Sequence, residues 1–433
     1  MKLKSIIKSF FSLSSLTLVS RLSGFVKVAA IAAFYGRTLQ ADMLTAALVL
    51  PDLVYKFLSE GLVSSAAVPI FVKERENKQL LTNSFWSIFW VTVLACFVVS
   101  VLLALGTEPI CDILMPSLPD EYDPDLRAMW IILIPYLTLG MLSGVLTSLL
   151  NAMMSFGLPA VGTILVNVSI ILGTVIAYGG DIKIIAFANT VGALAQVLWL
   201  FWLIKKDDYL GDGIKNFVAF DKNIAMKYFK ASLPITAWIA ILPFIPVYER
   251  HLLSSDAGGI ATLNYTEKLF NLPWGVISIS LAHVILPTLS LLEGKERTRF
   301  LGKSLGLSAL AVIPIIVIIY FGADLIVEIV FKRGKFSSED VAAAAGLFRI
   351  YAVALLPVSL NMVLNRGFFA SGRFKIPFAA GIISVIIQLY ICYAAVPQLG
   401  MNGIAVAYIS ASTAQLIILL VSEFIVSRKA INA

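Results

Sequence analysis

Six ionisable residues lie inside or at the edges of the first two long apolar stretches: Arg21, Lys27, Asp42, Asp52, Lys56 and Glu60. A charge held at bilayer depth costs about 3 kcal/mol on insertion scales, so charges kept there usually face a polar cavity and have a task. Asp52, Lys56 and Glu60 are spaced i, i+4, i+8, which stacks them on one helical stripe where they can neutralise one another. Arg21 and Lys27 have no carboxylate three or four residues away on their own segment. Their counter-charge must come from Asp42 or Glu60 on the next segment, or from an anionic ligand. A second polar group, Asn264, Glu267, Lys268 and Asn271, shares one face of a later segment at helical spacing. Cations outnumbering free carboxylates suit an anion, and a phosphate paired with Arg or Lys in a low dielectric gains more than it does in water.

Other chemistries find no support. There is no Gly-rich phosphate loop, no Gly-x-Ser-x-Gly and no His-Glu-x-x-His. His251 and His283 are isolated from each other, and Cys96, Cys111 and Cys392 fit no ligand or disulfide spacing, so no metal and no cofactor is expected. The buried, satisfied histidine and the small apolar cysteine are the simpler readings.

The elements that must position these residues are membrane helices. The 433-residue chain is 59% hydrophobic and 14% charged, with a mean hydropathy of +0.91, more apolar surface than a soluble domain can bury. About twelve segments reach the roughly 20 apolar residues a span needs, near 10–35, 42–71, 80–106, 128–154, 158–179, 183–204, 228–250, 260–290, 304–330, 341–370, 376–396 and 402–427. Lys2, Lys4 and Lys8 ahead of the first segment resemble a signal peptide, but Arg21 interrupts before any small-residue cleavage site, so a retained first helix is expected. The net charge of +7 comes from short loops, where topology signals lie, and nucleic acid is not an expected partner. With the N-terminus cytoplasmic, that side collects Lys73, Arg75, Lys78, the groups 205–230 and 295–303, Arg373, Lys375, Arg428 and Lys429, against Arg37, Lys183, Lys332, Arg333 and Lys335 opposite. Both termini are therefore expected in the cytoplasm. The acidic outward loop holding Glu108, Asp112, Asp120, Glu121, Asp123 and Asp125 reads as solvated. Glu249 and Arg250 are expected to snorkel at a helix end, and most tryptophans to form an interfacial belt.

The chain also repeats. Phe156-Gly157-Leu158-Pro159 is echoed by Phe374-Lys375-Ile376-Pro377, the residues Ile185–Ala188 by Ile404–Ala407, and Gln196 by Gln415, all 218 or 219 residues apart. The polar stretch 207–223 is a linker between the halves. The expectation is an all-α polytopic membrane protein: an N-terminal six-helix lobe at 1–206, a cytoplasmic linker at 207–223 and a C-terminal six-helix lobe at 224–433. Halves of even helix number share one orientation, the parallel-repeat arrangement of transporters that rock around an internal site.

Ser-Arg-Leu-Ser-Gly-Phe-Val-Lys (Ser20–Lys27), Ala41-Asp42, Pro51-Asp52-Leu53, Glu60-Gly61, Val68-Pro69 and Leu286-Pro287-Thr288-Leu289-Ser290 resemble the MurJ/MviN lipid II flippases of the MOP exporter superfamily. The resemblance spans nearly the whole chain. It implies an MOP-exporter-like fold in a bacterial cytoplasmic (inner) membrane, and movement of an anionic polyprenyl-diphosphate lipid, the peptidoglycan precursor, from inner to outer leaflet through a cationic central cavity. By that resemblance Arg21, Lys27, Lys56 and Lys268 would bind substrate, and Asp42, Glu60, Glu267 and Asn271 would serve gating or charge pairing. Coupling to membrane potential or to a cation is left open. Family members usually have Arg-Asp where this chain has Lys27-Val28, two Arg at Tyr55-Lys56, and Arg with a downstream Glu where it has Lys268 and Asn271; a lysine lacks the bidentate fork. Many also carry two further C-terminal helices that form a groove for the lipid tail, beyond the point where this sequence stops. Two other readings remain: export of a different polyprenyl-diphosphate glycan such as an O-antigen unit, and a membrane-embedded glycosyl or phosphoryl transferase with Asp42 as base.

Overall fold

The computed structural model describes residues 3–55, 64–155, 157–211, 219–239, 244–275, 285, 289, 291–292 and 294–432, and everything below concerns these. The regular structure among them is helical. The helices are α1 (Leu3–Tyr35), α2 (Leu39–Tyr55), α3 (Ser64–Glu74), α4 (Lys78–Leu105), α5 (Thr107–Leu114), α6 (Asp123–Ala152), α7 (Pro159–Ile176), α8 (Lys183–Lys206), α9 (Lys222–Ile239), α10 (Phe244–Leu253), α11 (Gly259–Trp274), α12 (Gly294–Phe331), α13 (Ser338–Val353), α14 (Leu355–Ala370), α15 (Lys375–Leu399) and α16 (Met401–Asn432).

Local chemistry sets several of these boundaries. Asn77 caps α4 by accepting from the amides of Gln79 and Leu80, each at 3.1 Å. Ser337 and Asp340 form a reciprocal capping box at the start of α13. Prolines open α6 and α7, where a missing N–H costs nothing. Eight spans are long and apolar enough to cross a membrane, four of them within 78–206 and four within 294–426. Their outer faces are apolar yet exposed: Leu94, Phe97, Leu102 and Leu105 on α4, and Leu310, Ile318, Phe321 and Leu325 on α12. A helix with all its backbone hydrogen bonds made internally and an oily outward face is built for lipid.

The described parts of the segment expected at 42–71 are α2 and α3, with 56–63 outside the described residues, and those of 228–250 are α9 and α10, with 240–243 outside them. The tenth expected segment breaks at Ala354, three residues before Pro357, into α13 and α14. Helix α5, too short to span, had no counterpart among the expected segments.

Contacts group the chain into two compact units, Met1–Phe34 with Gln40–His251, and Tyr35–Leu39 with Leu252–Ala433. The core of the first is built from α3, α4, α6, α8 and α9, with Phe71, Phe85, Leu149, Leu200 and Tyr228 buried together. In the second, Leu301, Leu364, Phe368 and Leu419 form one cluster, and the rings of Tyr265, Phe331 and Phe336 form another.

The connection Tyr35–Leu39 belongs to the second unit although the helices on either side of it belong to the first. Arg37 explains how it is held: its Nε donates to Thr262 Oγ1 at 2.7 Å and its guanidinium lies 3.8 Å from Asp256. Tyr265 Oη donates to the carbonyl of Gly36 at 3.0 Å. Gly258 must be glycine twice over, since its φ is +84° and a Cβ there would lie 2.7 Å from the Arg37 backbone oxygen.

Candidate functional site

The stretch Ser20–Lys27 is docked on one side and open on the other. Ser23 Oγ donates to the Ser20 carbonyl at 2.8 Å and accepts from Asn167 Nδ2 of α7 at 2.9 Å, and the same amide reaches the Ser20 carbonyl at 3.5 Å. Gly24 lies beside the same side chain, a Cβ there standing 3.5 Å from Asn167 Nδ2, an ordinary contact. This seat turns Arg21 outward, where it is exposed, while Lys27, seven residues beyond Ser20 on the docked side, is half-buried. Lys27 is engaged by neighbours. Arg21 has no ion-pair partner among the described residues.

Asp42 sits in the first turn of α2, 1% exposed, where the helix dipole favours a carboxylate. It too is engaged. Asp52 accepts from Tyr136 Oη of α6 at 3.0 Å. Lys56 and Glu60 lie outside the described residues, as does His283.

In the second unit, α11 buries Leu263, Tyr265, Thr266, Leu269 and Phe270 and turns its other face outward. Lys268 and Asn271 are exposed there, Glu267 is half-buried. Glu267 has partners; Lys268 has no ion pair among the described residues. Some cations elsewhere are neutralised: Arg127 is ringed by Glu108, Asp112 and Asp123, Lys183 by Asp125 and Asp181, and Arg349 meets Asp324. The acidic loop is mostly exposed, and Arg127 and Lys183 partly neutralise it.

Two expectations are corrected. Glu249 and Arg250 do not snorkel: they are 3% and 4% exposed and pair at 3.3 Å, with Arg250 also donating to the Pro246 carbonyl at 3.4 Å. A buried charge pair satisfies itself internally and needs no interface. Nor are the tryptophans a uniform belt. Trp86 and Trp130 are buried, the latter donating to the Leu103 carbonyl, whereas Trp90 and Trp202 are exposed. Three further features escaped sequence reading. Asn167 could have been flagged as a lone amide in an apolar helix. Tyr136 gives no such signal. Arg297 was counted only among the loop cations, yet it is bound to Glu423 at 2.5 Å and to the Gly367 carbonyl at 3.0 Å, which ties α12 to α16 and α14.

The three cysteines are free and buried. Burial, with nearby Asp123, pushes the Cys111 thiol up to about 12. His251 sets Nδ1 against the Ile113 carbonyl at 2.7 Å.

Comparison with known proteins gives one consistent result. A family model described as lipid II flippase MurJ matches residues 31–427. A probable lipid II flippase MurJ of Bdellovibrio bacteriovorus is 28% identical over 96% of this chain and 82% of its own length. The lipid II flippase MurJ of Burkholderia cenocepacia is 24% identical over 93% and 81%. Among solved structures, an inward-closed lipid II flippase MurJ superimposes with a TM-score of 0.82 at 22% identity, covering 95% of this chain and 87% of that one. An inward-facing MATE multidrug transporter of the MOP superfamily gives 0.74 at 14%, covering 96% and 98%. At these identities the structural matches speak for the fold.

Proposed function

The chain belongs to the lipid II flippase MurJ family, and we propose that it moves lipid II, the polyprenyl-diphosphate-linked peptidoglycan precursor, from the inner to the outer leaflet of the bacterial inner membrane. The family match over residues 31–427 carries this reading. The physical support is that Arg21 and Lys268 are exposed cations without ion pairs among the described residues, on helices whose other faces are fixed by packing. A cation left unneutralised in a membrane protein suits an anion that comes and goes. In this reading the lobes 1–206 and 224–433, joined by the cytoplasmic linker 207–223, work by alternating access through a cationic cavity, with both termini in the cytoplasm. Arg21, Lys27, Lys56 and Lys268 engage the diphosphate. Asp42, Glu60, Glu267 and Asn271 exchange charge partners as access alternates. Buried and engaged, Asp42 fits a gating role better than that of a solvent-reachable base, so the protein acts as a transporter rather than an enzyme.

Arg21→Ala and Lys268→Ala are expected to insert and fold normally yet to lower headgroup translocation at least tenfold in reconstituted vesicles and to fail in restoring growth to cells lacking precursor export. Full restoration by both variants overturns the proposal. Offering lipid II and an O-antigen-type polyprenyl diphosphate to the same vesicles distinguishes the two cargo classes, and imposing or collapsing a membrane potential reports the driving force. Turnover of a polyprenyl phosphate in detergent, where there is no leaflet to cross, would instead favour the transferase.

A further inference from the structure

We propose that Asn167 of α7 is a positioning residue for Arg21: it grips one turn of α1 and so sets the direction in which the Arg21 guanidinium meets the diphosphate. This rests on the flippase reading and deepens it. Asn167 is 6% exposed and stands in an apolar run of α7, with Ile164, Leu165 and Val166 before it and Val168 after. An amide in that setting is held by what it bonds to, because a buried polar group without a partner forfeits its hydration.

The grip falls on the turn that carries Arg21. Asn167 Nδ2 donates to Ser23 Oγ at 2.9 Å and reaches the Ser20 carbonyl at 3.5 Å. Ser23 gives its own hydroxyl proton to the same carbonyl at 2.8 Å. Its oxygen is thereby left to accept, and only the nitrogen end of the amide can serve it, which fixes how Asn167 is turned. Ser20 and Ser23 stand on either side of Arg21 in the sequence, so one amide holds both the height of that turn and its rotation about the helix axis.

Helix α1 needs such a contact at this point. Lipid tails are as apolar as leucine, so hydrophobic exclusion does not fix how a membrane helix is rotated, whereas polar contacts and close packing do. Beside Arg21, Leu22 and Val26 are 50% and 52% exposed and favour no one rotation. Among the described side chains of α1, burial begins at Val28, about two turns on. A slip by one residue position, about 100°, would aim Arg21 at a different face. Nor does the amide belong to the shared scaffold. At the offset of 218 residues that relates α7 to α15, Asn167 corresponds to Val385, and α15 packs along α16 without it.

The test is a double-variant cycle on the full chain in lipid nanodiscs, measuring affinity for lipid II itself in wild type, Asn167→Val, Arg21→Ala and the combination. Arg21→Ala is expected to weaken binding about tenfold or more, as the loss of a charge-assisted contact should, and Asn167→Val about threefold or more. Adding Asn167→Val to Arg21→Ala should change affinity by less than about twofold, because the amide has no guanidinium left to aim. Ser23→Ala, which removes the acceptor from α1 and leaves α7 intact, is expected to behave like Asn167→Val and takes its place should that variant not fold. A merely structural amide would weaken binding equally in both backgrounds. That result overturns the inference, as does wild-type affinity in both Asn167→Val and Ser23→Ala. Wild-type affinity in Arg21→Ala is a different failure: it removes the role of Arg21 from the flippase reading, and the inference with it.

Discussion

Helices α7 and α8 in the first unit correspond through the sequence repeat to α15 and α16 in the second, and each pair packs along its length. The first pair is closed by absence of side chains. A Cβ at Gly162 would lie 2.7 Å from Gln196 Cγ, and one at Gly192 would lie 2.8 Å from Val166 Cα. In the second pair these positions are Ala380 and Ala411, and a close approach lies near the connecting turn, where a Cβ at Gly403 would lie 2.7 Å from the backbone of Ala395 and Val396. Gln196 fills space against a glycine, whereas Gln415 accepts from Asn361 beside a cavity. At the end of the pair, buried Ile204 corresponds to Glu423, which carries the ion pair with Arg297. A duplicated scaffold has thus kept its topology while one copy packs closely on glycines and the other on alanines, a hydroxyl bridge and an ion pair. In lipid, where helix association rests on close packing and polar contacts rather than on hydrophobic exclusion, both are workable solutions.

The largest effect should come from filling the tight copy. Gly192→Leu puts a side chain where the α7 backbone already stands, and overpacking of a closed interface costs about 3 kcal/mol or more when backbone must move. The variant is expected to lose most monodisperse, folded protein on size-exclusion chromatography. The corresponding Ala411→Leu in the looser copy should lower the thermal midpoint by clearly less. Equal losses would erase the asymmetry between the copies.

The charged end of the second pair comes next. Glu423→Ile installs the first unit's residue but leaves Arg297 buried without its carboxylate, a loss of about 3–5 kcal/mol. Adding Arg297→Met removes the stranded charge and should restore most of the midpoint, since a well-packed apolar pair can replace a buried ionic one. If the double variant is no better than the single, the pair is needed for something other than its own neutralisation.

Much of this architecture was readable from the chain, and what was not has a common cause. The apolar runs marked the span positions because hydropathy depends only on local sequence, and Pro159 and Pro377 marked equivalent helix starts because proline chemistry is local. The family's ordered motifs in the first two segments pointed to the chain's relatives. What stayed hidden depended on partners distant in sequence or on geometry. Arg297 and Glu423 are 126 residues apart, so Arg297 looked like another loop cation. Glu249 and Arg250 looked like an interfacial pair because hydropathy cannot tell a charge that reaches water from one that meets its neighbour. Tyr136 gave no hint that it would donate to Asp52. Arg21 and Lys268 could be picked out as polar positions in apolar helices, but that neither forms an ion pair among the described residues emerges only from their neighbours in space.

The smallest expected effect concerns Ser384, and it tests how deeply the second copy depends on its polar lining. Its hydroxyl donates to the Ala411 carbonyl at 3.0 Å, bridging α15 and α16. Ser384→Val restores the residue that the first unit carries at Val166. A single hydrogen bond of this kind contributes about 0.5–1.5 kcal/mol net. The Ala411 carbonyl keeps a bond within its own helix, so losing the bridge does not leave it bare, and the added methyl groups recover some packing. A fall in the thermal midpoint of only one or two degrees is therefore expected, near the limit set by about 4 °C per kcal/mol for larger domains. A much larger fall would mean that the hydroxyl bridge is what joins α15 to α16, and that the second copy has replaced glycine packing with polar bonds rather than merely tolerating them.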